Sequence, residues 1–303
     1  MDGFLLINKP VGCTSHDICH RLKKILHTDK IGHTGTLDPM AQGLLLVMVG
    51  SASRLSEYLV LDDKEYVATV RFGIRTDTQD TTGTVLERKE PDIRRADLLS
   101  VLSRFEGRQK QIPPMYSAIK HKGKHLYDYA RKGEQVELSA REIHIYEAEL
   151  LSDRLPFEAD IRVFCSKGTY IRTLCNDIGE ALGCHAAMSA LTRTKIGGYS
   201  LDEAFAVEEI EQKMAKDGTL FGVLKLPDDP LNHLPRVDVI EDSKRFLLGG
   251  NELLAHNLQT DTSEFISGDT VRIYAGDQFL AIGTVTESRS IKPRKVMVRQ
   301  QNK

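Results

Sequence analysis

Short apolar runs and alternating stretches divide the chain into elements before any motif is considered. Residues 44–49, Leu-Leu-Leu-Val-Met-Val, form a continuous apolar run between Gly43 and Gly50, the pattern of a strand buried on both faces. Tyr66, Ala68, Val70 and Phe72 alternate with Val67, Thr69 and Arg71 and stop at Gly73, which predicts a period-two strand. Further strands are expected over 4–7, 143–151 and 159–165. Thr14 and Asp17 have capping-box spacing ahead of Ile18, Leu22, Ile25 and Leu26, which share one helical face. Other helices are expected over 53–59, over 92–105 with Gly107 as its stop, and over 170–182. In the last, Ile171, Leu174, Cys175 and Ile178 point inward and Gly183 ends the helix.

Strands and helices do not alternate regularly, and no glycine-rich dinucleotide or P-loop fingerprint occurs. The fold class expected is therefore α+β, with a central, mainly antiparallel sheet. Residues 226–235 contain three prolines and suit a linker, Lys9-Pro10-Val11-Gly12 a turn. Beyond the linker, short apolar runs at 246–248, 270–274, 279–285 and 295–298 are separated by turns, as in a small β-barrel-like module. Two domains are expected, 1–232 and 233–303.

Composition constrains the class more than the function. With 303 residues, 41% hydrophobic and 28% charged, the chain is long enough for a sizeable core. No apolar run approaches the roughly 20 residues of a membrane span and no secretory leader pattern opens the sequence, so a cytoplasmic location is expected. Five cysteines without a C-x-x-C pair argue against a disulfide framework and a thiolate metal site. Asp77-Thr78-Gln79-Asp80 lacks calcium-loop spacing and reads as a plain loop. The net charge of −2 does not mark a nucleic-acid binder, yet the charge is unevenly spread. Between Arg104 and His125 there are six Lys or Arg against Glu106, and between Thr286 and Lys303 six against Glu287. The segment 202–217 holds six acids and two lysines. Such clustering fits phosphate contact on an otherwise neutral protein, and fits a solvated surface as well.

The candidate chemistry lies in Gly32-His33-Thr34-Gly35-Thr36-Leu37-Asp38-Pro39, a polar, glycine-punctuated loop that sets one carboxylate just before the buried strand. An isolated Asp-Pro pair is ordinarily a turn starter. This string, continued by Ala41, Gly43 and Leu44, resembles the catalytic motif of the TruB-type tRNA pseudouridine synthases. The opening Gly3-Phe4-Leu5-Leu6-Ile7-Asn8-Lys9-Pro10-Val11-Gly12-Cys13-Thr14-Ser15 is similar to theirs. So are Lys64-Glu65-Tyr66, Ile112-Pro113-Pro114-Met115-Tyr116-Ser117-Ala118 and Cys165-Ser166-Lys167-Gly168-Thr169-Tyr170-Ile171-Arg172-Thr173. The match is close over the first 200 residues and looser beyond.

The resemblance implies a pseudouridine synthase fold with a small C-terminal PUA-like RNA-binding barrel, and an isomerase that converts uridine 55 of the tRNA T-loop to pseudouridine. It implies Asp38 as the catalytic carboxylate, Arg172 as its partner and Tyr66 as the tyrosine stacked on the target base. It also implies His33 as the side chain inserted into the opened loop, Tyr170 and Leu191 as pocket walls, and Lys9 as a substrate contact. Residues 115–143 match a mobile, RNA-clasping insertion whose Lys120, His121, Lys122, Lys124 and His125 suit phosphates. The reaction breaks N1–C1′, turns the base and joins C5 to C1′, without redox change or hydrolysis. One carboxylate suffices, either by covalent attack or by taking a proton from the sugar. Retaining glycosidases need two because water must enter. The base must be flipped out of its stack at a cost of a few kcal/mol. Neither cofactor nor metal is implied; the expected partner is the tRNA T-arm, no membrane is involved, and the simplest assembly is a monomer. The rival readings are a synthase acting on another RNA, a tRNA-folding chaperone, and a carboxylate hydrolase, the last weakened by the lack of a second acid beside Asp38.

Overall fold

The computed structural model describes residues 1–59, 63–117, 119–130, 132–134 and 136–297, without the Lys120 side chain. Ala118, the Lys120 side chain, Val298, Arg299 and Lys303, used in the sequence reading, lie outside the described residues. The N-terminal half contains β1 (Gly3–Lys9), α1 (Ser15–Ile25), β2 (Ile31–Thr34), β3 (Gln42–Val49), β4 (Lys64–Phe72), β5 (Ile74–Thr76), β6 (Val85–Arg88), α2 (Arg95–Phe105) and β7 (Gly107–Gln111). There follow β8 (Lys120–His121), β9 (Lys124–His125), α3 (Leu126–Ala130), β10 (Arg141–Arg154), β11 (Glu158–Cys165), α4 (Ile171–Ala181), β12 (Ala186–Ile196), β13 (Tyr199–Ser200) and α5 (Val207–Asp217). The C-terminal part contains β14 (Arg236–Asp238), α6 (Lys244–Leu248), β15 (Thr270–Ala275), β16 (Gln278–Val285) and β17 (Ile291–Val296).

A nine-stranded sheet in the order β1-β3-β12-β4-β11-β10-β7, with β2 also on β3 and β13 on β12, forms the frame. Every described pairing in it is antiparallel except β12 with β3, so the sheet is mixed but mainly antiparallel. The run at 44–49 is buried on both faces as its composition predicts. Leu45, Val47 and Val49 pack with Leu5, Ile7 and the apolar stripe of α1, while Leu44, Leu46 and Met48 pack with Phe4, Leu6 and Ile196. The α1 start is the expected capping box, Thr14 and Asp17 satisfying each other's backbone N–H. Helices α2 and α4 cover β4, β11 and β10 through Leu98, Val101, Leu102, Ile171, Leu174 and Ile178.

The short helix expected over 53–59 is a 3-10 helix over Gly50–Tyr58. Two expectations change. The proline-rich stretch is no free linker: Leu231 is fully buried against Leu55, Tyr274, Phe279, Ile282 and Met297, and Tyr199 donates to Asp229 at 2.7 Å. The apolar Leu231 needs cover, and the face of the C-terminal sheet supplies it. That terminal module is a four-stranded sheet, β14-β15-β16-β17, and no closed barrel is present among the described residues. It is tied to the body by Arg54 donating to the Val296 carbonyl at 2.7 Å and by Lys295 pairing with Glu57 at 2.8 Å. Among the described residues, no helix is long and apolar enough to cross a membrane.

Candidate active site

The loop between β2 and β3 is held from below. Leu37 is buried, its N–H donates to the Ser15 hydroxyl at 2.9 Å and its carbonyl accepts from the same hydroxyl at 3.3 Å. The Gly12 N–H donates to Pro39 O at 2.8 Å, and the Ala41 N–H to Asp38 O at 3.0 Å. The last bond closes a β-turn with proline at its second position, so the turn-starting habit of Asp-Pro is in use here. It leaves the Asp38 side chain 38% exposed, facing a cavity of about 460 Å³. Tyr66 from β4, Tyr170 and Arg172 at the start of α4, and Leu191 from β12 line that cavity, together with Lys64, Lys167 and Arg193. Its volume is that of an ordinary small-ligand pocket.

Arg172 is the hinge of the electrostatics. Its guanidinium, 7% exposed, places Nε 3.0 Å from Asp38 Oδ2 and Nη1 3.6 Å from Asp80 Oδ2. Nη1 also donates to Thr78 O at 3.2 Å and Nη2 to Tyr116 O at 2.7 Å, which leaves the fork one orientation. Burial pushes the Asp38 carboxyl above the usual aspartate range; Arg172 pulls it back, Asp80 pushes it further and Lys9 opposes. Burial likewise raises the Tyr66 phenol, with Arg193 partly offsetting it by charge and by a hydrogen bond. Tyr66 therefore stays a neutral ring suited to stacking.

The structure gathers Asp38, Tyr66, Arg172, Tyr170 and Leu191 around one cavity and places the other named residues elsewhere. Lys9 is fully buried, donating to Pro10 O at 2.9 Å and Cys13 O at 2.7 Å, with burial lowering its pKa. An ammonium so engaged supports the turn beneath the loop. His33 sits half-buried on β2, outside the linings of this cavity and of the adjoining one. Its Nδ1 is buried without a hydrogen-bond partner, and burial, then Arg193 and His16, lowers its pKa. The ring is thus a neutral, largely desolvated one.

Lys122 and Lys124 are exposed on the β8–β9 hairpin, whose turn has Lys122 at φ 47° and Gly123 at φ 84°. Two successive left-handed residues make the tight primed turn that suits a two-residue hairpin, and they hold both lysines out into solvent. Tyr127, just beyond the hairpin, lines a second cavity of about 400 Å³ that shares Asp38 and Arg172 with the first. The insertion thus reaches the site through its own side chains.

Two residues at the site were not singled out from sequence. Asp80, in a stretch whose sequence has the character of a plain loop, is buried, accepts from Thr78 and Thr82, and shares Arg172 with Asp38. Arg193 lies on a strand the pattern does not predict. Lys64 and Lys167 stood inside the quoted motifs, and their positions at the cavity rim were available from that signal.

Comparisons with known proteins place this geometry. The family model described as TruB family pseudouridylate synthase, N-terminal domain, matches residues 23–171. That of the tRNA pseudouridylate synthase B C-terminal domain matches 172–227. The chain is similar to tRNA pseudouridine synthase B of Oceanobacillus iheyensis, 42% identical over 310 residues and all of both chains. It is 41% identical to tRNA pseudouridine synthase B of Chromohalobacter salexigens, over 98% of this chain and 94% of that one. Among solved structures, a chain in the crystal structure of a Cbf5-Nop10-Gar1 complex superposes with a TM-score of 0.72 at 26% identity, covering 98% of this chain and 85% of that one. The loop carboxylate held by a buried arginine, the two family models and the near full-length relatives agree: the chain belongs to the TruB family of pseudouridylate synthases.

Proposed function

We propose that this enzyme isomerises uridine 55 in the T-loop of tRNA to pseudouridine, with Asp38 as the carboxylate that acts on a flipped-out nucleotide. The observation that carries the reading is the Asp38–Arg172 contact of 3.0 Å at a cavity walled by Tyr66, Tyr170 and Leu191. The relatives' printed name, tRNA pseudouridine synthase B, supports the class of RNA. The N1–C1′ bond breaks, C5 bonds to C1′, the hydrogen on C5 leaves as a proton and N1 takes one, so atoms and oxidation level balance without a co-reactant. Arg172 keeps Asp38 ionised against the burial that favours its protonated form. Tyr66 and Tyr170 provide aromatic surface for the extruded base, and Leu191 fills the wall between.

His33, a neutral ring beside the catalytic loop, is assigned to the opened T-loop, and the hairpin lysines Lys122 and Lys124 to its phosphates. Residues 1–232, with an RNA-clasping insertion at 115–143, form the catalytic domain in this reading. Residues 233–303 form a PUA-like RNA-binding module. The working form is a monomer in the cytoplasm. Mapping pseudouridine in an unmodified tRNA transcript after treatment with the protein tests the assignment. Modification confined to uridine 55 is expected; modification of other uridines with 55 untouched overturns it.

A further inference from the structure

The centre of the sheet carries a second buried arginine that the proposed chemistry does not use. Arg193 lies on β12, where its Cα pairs with Gly43 of β3 on one side and with Tyr66 of β4 on the other. Its side chain is 1% exposed, yet it borders the cavity. Nε donates to Leu44 O at 2.8 Å, the start of the buried run, and Nη2 donates to Gly35 O at 2.9 Å, in the loop that ends at Asp38. Nη1 lies 3.3 Å from where a Cβ on Gly35 would stand, so the missing side chain at Gly35 gives the fork its room. Among the described residues no carboxylate pairs with Arg193. A buried guanidinium held by two backbone carbonyls and the Tyr66 phenol, with no carboxylate to neutralise it, carries a desolvation cost that packing alone does not require.

We propose that Arg193 is a positioning residue for the reaction, locking the Gly35–Asp38 loop to the strands that carry Tyr66 and Leu191; this rests on the roles given to Asp38 and Tyr66 above. The planar fork spans a loop carbonyl and a strand carbonyl at once, so the carboxylate's base and the stacking tyrosine are fixed in one frame. A lysine ammonium is a point donor and cannot hold both carbonyls in the same plane. The residue also adds positive charge beside the Tyr66 phenol, the His33 ring and Lys9, each of which feels it. Arg172 aims Asp38; Arg193 sets where the loop that carries it lies.

Steady-state turnover of a T-arm RNA, its binding affinity and thermal melting are measured together for wild type, Arg193→Lys and Arg193→Ala. The expected result for Arg193→Lys is kcat lowered on the order of 10²-fold, as for a sub-ångström to ångström misplacement of a reacting group, with RNA affinity unchanged. Arg193→Ala loses more, and millimolar guanidinium ion, admitted from the cavity, restores part of it. A purely structural role would instead lower melting temperature and affinity together, with no rescue. Wild-type turnover by Arg193→Lys overturns the proposal. Inactive wild type on this RNA overturns the functional reading instead, and leaves a distinct signature because every variant is then silent. Where the arginine variants melt below assay temperature, Gly35→Ala decides, since its Cβ would press on the Arg193 fork at 3.3 Å and strain the loop at φ +69° while the arginine itself is retained. Lowered kcat with intact affinity supports the proposal, and unchanged kcat contradicts it.

Discussion

Arg172 holds Asp38 through one charge-assisted contact, Nε to Oδ2 at 3.0 Å, while Nη1 donates to Thr78 O and Nη2 to Tyr116 O. The fork therefore cannot follow the carboxylate if it moves; it dictates where the carboxylate sits. Arg172→Lys keeps the charge and loses that geometry. We expect turnover to fall on the order of 10²-fold or more with RNA affinity little changed. Single-turnover kinetics beside a binding assay checks this.

Asp80 shares the same guanidinium at 3.6 Å and is hydrogen-bonded by Thr78 and Thr82. Asp80→Asn removes one negative charge near Asp38, a charge that raises the Asp38 pKa. The acid limb of the activity profile should consequently move to lower pH in Asp80→Asn, a shift read from kcat/KM against pH.

The Asp38 pKa is raised above its ordinary 3.8 chiefly by burial. A folded-state pKa above the unfolded one means that ionised Asp38 costs stability. The cost is absent below the unfolded pKa and is fully present once the pH has risen through the folded one. Asp38→Asn should melt above wild type at neutral pH, and the difference should close as the pH falls toward 3.8. A melting series across that window reads the sign directly. Stability sacrificed at a reactive group is a common trade.

Gly43 has φ +105°, and a Cβ there would lie 2.4 Å from the Arg193 carbonyl oxygen on the neighbouring parallel strand. Gly43→Ala combines a strained backbone with a clash against backbone, so a loss of at least about 2 kcal/mol is expected in urea denaturation.

Leu231 is fully buried between the body and the C-terminal sheet, against Leu55, Tyr274 and Ile282. Leu231→Ala should cost about 2–5 kcal/mol and loosen that contact, which denaturation and limited proteolysis report together.

Much of this was legible in the chain because the signals were local. The Thr14 and Asp17 cap, the 44–49 run and the α4 stripe need only neighbouring residues to be recognised. Asp38 and Arg172 could be paired only by resemblance, being far apart in sequence and joined by the fold. Strand β12 was missed because Ala-Ala-Met-Ser-Ala-Leu-Thr-Arg-Thr-Lys-Ile neither alternates cleanly nor is rich in β-branched apolar residues. Helix α4 packs closely against its first residues: a Cβ on Gly179 would lie 2.2 Å from the Ala186 backbone nitrogen and 2.5 Å from its Cβ. Arg193 was lost with that strand. Asp80 was hidden by its threonine neighbours, whose local hydrogen bonds give an ordinary polar loop in sequence; only its approach to Arg172 sets it apart. Lys9 departs from the habit of its residue type, since a lysine beside a turn is usually exposed and this one is buried.

The most direct test of the account is tritium release from T-arm RNA labelled at C5 of uridine, with wild type compared to Asp38→Asn. Joining C5 to C1′ must expel that hydrogen. Release by the wild type and none by Asp38→Asn is expected, with both proteins binding the RNA. Equal release by the two would contradict the role of Asp38, and binding without release by either would contradict isomerisation of this RNA.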